Sequence, residues 1–157
     1  MSAEIVPGVR TSQGAGGDVV QAGARRATTS VEAPHLDDLR RARQALIEAE
    51  LSEKPAERYL GAYTAAMRVA VTVLAVRARP QRGHGPADLW RVLMHAAPEY
   101  TEWAAFFAAG REKRELVLAG ATAVVSERDA DDLLRDAGEF CDLVEQRFVR
   151  AWRARHG

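Results

Sequence analysis

The chain has 157 residues with 22 basic and 22 acidic side chains, a formal net charge of zero at pH 7. That length fits one modest domain, and that balance excludes the uniformly basic surface of a protein gripping duplex DNA by its phosphates, although a local basic patch stays open. The one cysteine, Cys141, excludes a disulfide framework and a cysteine metal cluster, which makes the cytoplasm the default compartment. The longest apolar-looking run, Val69 to Val76, falls well short of the roughly 20 residues that cross a bilayer, so no membrane association is expected.

Residues 1–34 hold five of the twelve glycines, two prolines, the Thr28-Thr29-Ser30 cluster and no aromatic residue. Such a segment buries too little apolar surface to offset its ordering entropy, and it is expected to be a disordered tail. Residues 35–157 are then the domain. A first helix is expected from Leu36 to Ser52, with Leu36, Leu39, Arg43, Leu46 and Glu50 in one row beside Ala42, Ala45 and Ala49. The second, Pro55 to Arg79, repeats Leu60, Tyr63, Met67, Ala70, Val71 and Leu74 at helical spacing until Pro80 stops it. Pro80 to Pro86, with two glycines between two prolines, reads as a loop.

A third helix follows from Ala87 to Ala97. A fourth carries Pro98 in its first turn and Tyr100, Trp103, Ala104 and Phe107 on its apolar row, with Gly110 at its end. A short fifth helix, Arg111 to Ala119, is closed by Gly120, and Ala121 to Val125 reads as a buried connector. Ser126 with Asp129 three residues on is a capping-box-like start for a long last helix. Leu133, Ala137, Phe140, Val144, Phe148 and Ala151 share its apolar face. The expected fold is all-α, an antiparallel helical bundle of about five helices, with short connections between neighbours.

The four histidines, His35, His84, His95 and His156, have no neighbours at metal-ligand spacing, so neither a metal nor a cofactor is expected. Cys141 beside Phe140 reads as a small core hydrophobe. Glu127, Asp129, Asp131, Asp132 and Asp136 crowd the start of the last helix, where the macrodipole favours negative charge, so a solvated helix start outweighs an acid–base pair. Tyr100, Trp103, Phe106 and Phe107 are spaced for core packing rather than base stacking. Arg147, Arg150, Arg153, Arg155 and His156, with Trp152 among them and no acid after Glu145, suit either a helix C-terminus or an edge that contacts phosphate.

The stretch Ala62 to Leu74 leading to Pro80 and His84, the segment Leu89-Trp90-Arg91-Val92-Leu93, the run Ala97-Pro98-Glu99-Tyr100-Thr101-Glu102-Trp103-Ala104-Ala105-Phe106-Phe107, and Leu133 to Val144 together resemble a bacterial subgroup of the HEPN (higher eukaryotes and prokaryotes nucleotide-binding) superfamily. The resemblance implies an all-α bundle, homodimerisation and a connection to RNA or nucleotides. It also implies, for catalytic members, metal-independent endoribonuclease chemistry by an Arg and a His with four to six residues between them, often in toxins held by a nucleotidyltransferase-like antitoxin partner. Arg77 and Arg79 to His84, and Arg150 to His156, meet that spacing. With 20 arginines in the chain, roughly 1.5 such pairs arise by chance.

The family's pair usually lies late in the bundle, where this chain has Arg111, Arg114 and Arg128 but no histidine between His95 and His156. That departure points to a non-catalytic member or to an atypical site on the Pro80–Pro86 loop. In the latter, His84 would take a proton from a ribose 2′-hydroxyl while Arg79 or Arg82 stabilises charge on phosphorus. The candidate residues are therefore His84 and Arg79 for catalysis, and Arg77, Arg82, Arg147, Arg150 and Arg153 for RNA or phosphate. The rival expectation is a non-catalytic module for homodimerisation or docking.

Overall fold

A computed structural model describes residues 35–77 and 89–157, all within the compact unit Pro34–Gly157. The expected N-terminal tail and the Pro80–Pro86 loop lie outside the described residues. Every regular element among the described residues is helical. Helix α1 covers residues 35–50. It is followed by α2 (Pro55–Arg77), α3 (Leu89–Ala96), a 3-10 turn (Pro98–Tyr100), α4 (Thr101–Ala109), α5 (Arg111–Leu118), a second 3-10 turn (Thr122–Val124) and α6 (Glu127–His156).

The centre of the bundle is α2 against α6. Ten residues of α2 are buried, five of them alanines, and small side chains let neighbouring backbones approach closely. Gly61 marks the tightest approach, since a Cβ there would meet the Ala49 Cβ of α1 at 2.8 Å. Arg68 of α2 reaches back to the Arg41 carbonyl, so α1 and α2 form an antiparallel pair. Taken alone, α2 is long and apolar enough to cross a membrane, with a mean hydropathy of 1.5, but half of that stretch is buried within the bundle.

Near their starts α2 and α6 are tied by Arg58, whose guanidinium donates to Glu127 at 2.9 Å and to Asp131 at 2.8 Å. These two helices therefore run in the same direction. Helix α2 has 23 residues and α6 has 30. With the starts aligned, α6 overhangs by about two turns.

The remaining core is aromatic. Trp90 Nε1 donates to the Tyr63 hydroxyl at 3.0 Å, which in turn donates to the Phe107 carbonyl at 2.7 Å. Phe107 stacks on Trp90 with centroids 5.0 Å apart and meets Tyr63 edge-on. Tyr59 donates to the Gly110 carbonyl, and burial pushes its phenol up to about 12. Cys141 is fully buried, and burial pushes its thiol up as well.

Four details differ from the sequence reading. Val71 is half exposed while Ala62, Ala66, Val69 and Val73 are buried, because α2 is covered by α1, α6 and α3 over a wider and rotated arc. Phe106, expected in the core, is 44% exposed, since α4 buries only Ala104 and Phe107. The connector Ala121–Val125 is a surface 3-10 turn with only Val125 buried; apolar content did not decide its depth. It follows Gly120, whose φ of +100° is the one positive φ among the described residues. Ala151 is exposed because the bundle ends before α6 does.

Candidate functional site

The start of α6 is closed electrostatically. Ser126 accepts from the Asp129 backbone N–H and Asp129 accepts from the Ser126 N–H, both at 3.0 Å, completing the capping box. The Asp129 carboxyl is held below its usual range, first by the Ser126 N–H and then by Lys113, 3.2 Å away. Glu127 and Asp131 take Arg58, and Asp132 and Asp136 take Arg135. The five carboxylates thus do structural work. An open cleft of about 710 Å³ lies beside them, lined by Arg43, Leu46, Ile47, Arg58 and Leu134 among others. Arg43 there is met by Asp142 and Glu145, so each arginine named in that lining faces two carboxylates.

The opposite end is built differently. Arg77 is the last residue of α2, and its guanidinium sits 2.5 Å from the Glu99 carboxylate, in the 3-10 turn that opens α4. Pro98 starts that turn without needing an N–H partner, which brings Glu99 to the end of α2 and turns Tyr100 into the core. Arg147 of α6 lies over the Tyr100 ring, 4.8 Å from its centroid, with Nη1 buried and without a hydrogen-bond partner among the described residues. Partial burial of Glu99 pushes its carboxyl up. Its own backbone N–H, the Arg77 hydrogen bond and the charges of Arg77 and Arg147 outweigh that and hold it below the usual range. Two arginines 70 positions apart thus act on one carboxylate.

From Arg150 onward the overhanging end of α6 is exposed. His156 Nδ1 lies 2.8 Å from the Trp152 carbonyl and its ring stacks on the indole with centroids 4.7 Å apart, while Arg155 Nε donates to the Ala151 carbonyl. These two side chains turn back onto the helix end, as capping requires. Arg150 and Arg153 are exposed and take no ion pair with another described residue. Trp152 is 42% exposed between them.

Of the residues singled out from sequence, Arg77 pairs with Glu99 and Arg147 lies over the ring of the adjacent Tyr100, with Arg150 and Arg153 following Arg147 on the same helix end. Arg79, Arg82 and His84 lie outside the described residues. His95 is exposed on α3. Glu99 was missed. The signal for it was an acid directly after a proline that starts a turn, a position where a carboxylate is held by backbone N–H groups. Among the described residues no group of three or more His, Cys, Asp and Glu side chains is placed to hold a metal ion.

The fold is an all-α bundle around a parallel central pair, with a cation-rich end. The SAV_6107-like HEPN family matches residues 49–145. That match spans more than half of the chain, and the protein belongs to the HEPN family, helical domains generally related to nucleotides and RNA. Arg77 and Glu99 lie inside the match, whereas Arg147, Arg150 and Arg153 follow it. No curated protein and no solved structure matches the chain.

Proposed function

We propose that this HEPN domain binds RNA through its phosphates at the end of the bundle where α2 stops and α6 overhangs. The observation that carries the reading is the imbalance of charge there: Arg77 pairs with Glu99, while Arg147, Arg150 and Arg153 take no ion pair among the described residues. Arginine's planar fork meets two phosphate oxygens at once. An exposed indole beside it offers a stacking surface that tolerates any base. The zero net charge of the whole chain makes this attraction local, so affinity must fall steeply with salt.

The test is fluorescence anisotropy of a labelled mixed-sequence single-stranded RNA, with the chain beside Arg147→Ala/Arg150→Ala/Arg153→Ala. For single strands each phosphate contact contributes about −0.7 to the slope of log affinity against log salt. Three or four contacts give a wild-type slope of about −2 to −3, and the triple variant loses about 2 of it. Binding that ignores salt, or a folded variant that binds as the wild type does, rejects the reading.

A second reading has its own observation. Phe106, Leu116, Leu118 and Val124 on α4, α5 and the following turn are all more than a third exposed, and α4 carries no charge after Glu102. We propose that a second copy of the chain covers this surface, which would make the RNA-binding unit a homodimer. Sedimentation of the wild type against Phe106→Glu/Leu118→Glu tests it: a dimer that persists in the charged variant removes the surface from the interface.

A further inference from the structure

We infer that Arg77 and Arg147 form a phosphate subsite in which Glu99 is a resident counter-ion, displaced when a phosphate group arrives. The inference deepens the proposed RNA reading and rests on it for the biological source of the phosphate, but its chemistry is local.

Each guanidinium carries five N–H donors in a fixed fork and cannot lose its charge. Arg77 pairs with the Glu99 carboxylate, and Arg147, over the ring of the neighbouring Tyr100, makes no ion pair with a described residue, so most of those donors have no ionised acceptor among the described residues. Arg77 takes Glu99 directly at 2.5 Å. Arg147 acts on the same carboxylate through its charge, and its Nη1 is buried with no hydrogen-bond partner among the described residues. A buried N–H without a partner costs free energy, and a tetrahedral anion with oxygens on several sides satisfies it where a planar carboxylate on Arg77 does not.

The two arginines are also held for the task. Arg147 lies on the Tyr100 ring at 4.8 Å. That ring is buried and packs edge-on against Phe140 of α6, so the guanidinium plane is supported from below. Arg77 is placed by the last turn of the central helix. Glu99 sits on a three-residue turn between α3 and α4, where its side chain can swing away with few contacts to break, its side chain being 31% exposed. Without a ligand the carboxylate keeps two like charges from repelling each other. With one, the phosphate takes over that role.

The prediction inverts the usual effect of mutating a site: removing Glu99 strengthens binding. Inorganic phosphate is titrated by 31P NMR at constant ionic strength into the full chain, Glu99→Gln and Glu99→Gln/Arg147→Gln, each checked for helicity by circular dichroism. Glu99→Gln is expected to bind phosphate about tenfold more tightly than the wild type, and the added Arg147→Gln to abolish the gain. Glu99→Ala carries the same test should the amide disturb the turn.

A folded Glu99 variant that gains nothing, or a gain that survives loss of Arg147, overturns the inference. Two further ligands locate the source. A matching gain for a 5′-hydroxyl RNA assigns the subsite to the strand backbone, and a gain for AMP without one for RNA assigns it to a free nucleotide. Either outcome sustains the phosphate subsite. If the wild type binds no RNA while the phosphate gain appears, the RNA reading falls and the subsite stands.

Discussion

The two ends of this bundle use the same residue types to opposite effect. At the end where α2 and α6 begin, Arg58 faces Glu127 and Asp131, and Lys113 faces Asp129. At the end where α2 stops, Arg77 pairs with Glu99, Arg147 lies over the Tyr100 ring, and α6 continues with Arg150 and Arg153 exposed. An arginine with two carboxylates is part of the scaffold. On the proposed reading, the arginines at the second end accept a further anion. Net charge hides this, because the surplus at one end is cancelled elsewhere in the chain.

If the division is sound, damage to the scaffold away from the overhanging end should change stability and leave RNA binding alone. The largest effect is expected from Phe107→Ala, which removes a fully buried ring packed on Tyr63, Trp90 and Phe140. Chemical denaturation should register a loss of about 3–5 kcal/mol. Tyr63→Phe keeps the shape but strips the hydroxyl that joins Trp90 Nε1 to the Phe107 carbonyl. Leaving the indole N–H buried without an acceptor should cost about 1–3 kcal/mol in the same assay. Neither variant, while folded, should alter RNA affinity; a parallel loss would mean that the core and the overhanging end are not separate.

The smallest effect sharpens the electrostatic side. Ser126→Ala removes a side-chain acceptor from the first turn of α6, at an expected cost of about 1 kcal/mol. It also weakens the hold on Asp129, whose carboxyl lies below its usual range because of the Ser126 N–H, Lys113 and the Ser126 hydroxyl. A folded value below the unfolded one of about 4 means that this stabilisation is present above pH 4 and is lost as pH falls through the folded value. Acid unfolding followed by circular dichroism should therefore show a shallower loss below pH 4 in the variant than in the wild type. An identical profile would remove Asp129 from the account.

Much of the architecture was legible because it is written locally. The capping box at Ser126 and Asp129, the proline at 98 and the glycine at 120 are punctuation that acts over three or four residues, and each stands where it was read. The helical row of α6 was read as far as Phe148, with Phe140 and Val144 buried. It failed at Ala151 because periodicity states which face is apolar and not where the neighbours end. Val71 was misplaced for a related reason: with ten buried residues on α2, the arc is too wide for a single row to mark its edge.

The candidate site was legible only in pieces. Arg77 and Arg147 were both singled out as cations, but their placement near Glu99 depends on α2 and α6 running parallel, a property of pairing 70 residues apart. Glu99 carried no signal beyond its place after Pro98, and its significance comes from what faces it. The C-terminal run looked uniform in sequence and is divided in the structure. Arg147 goes inward to Tyr100, Arg155 and His156 fold back on the helix, and Arg150 and Arg153 stay outside.

The central claim is that the overhanging end of the bundle is the part that meets RNA. The most direct measurement is the salt dependence of single-stranded RNA binding by the chain and by Arg147→Ala/Arg150→Ala/Arg153→Ala. A steep wild-type slope that flattens by about 2 in a variant of unchanged helicity is the predicted result. Equal slopes for the two proteins, or binding that does not respond to salt, would contradict it.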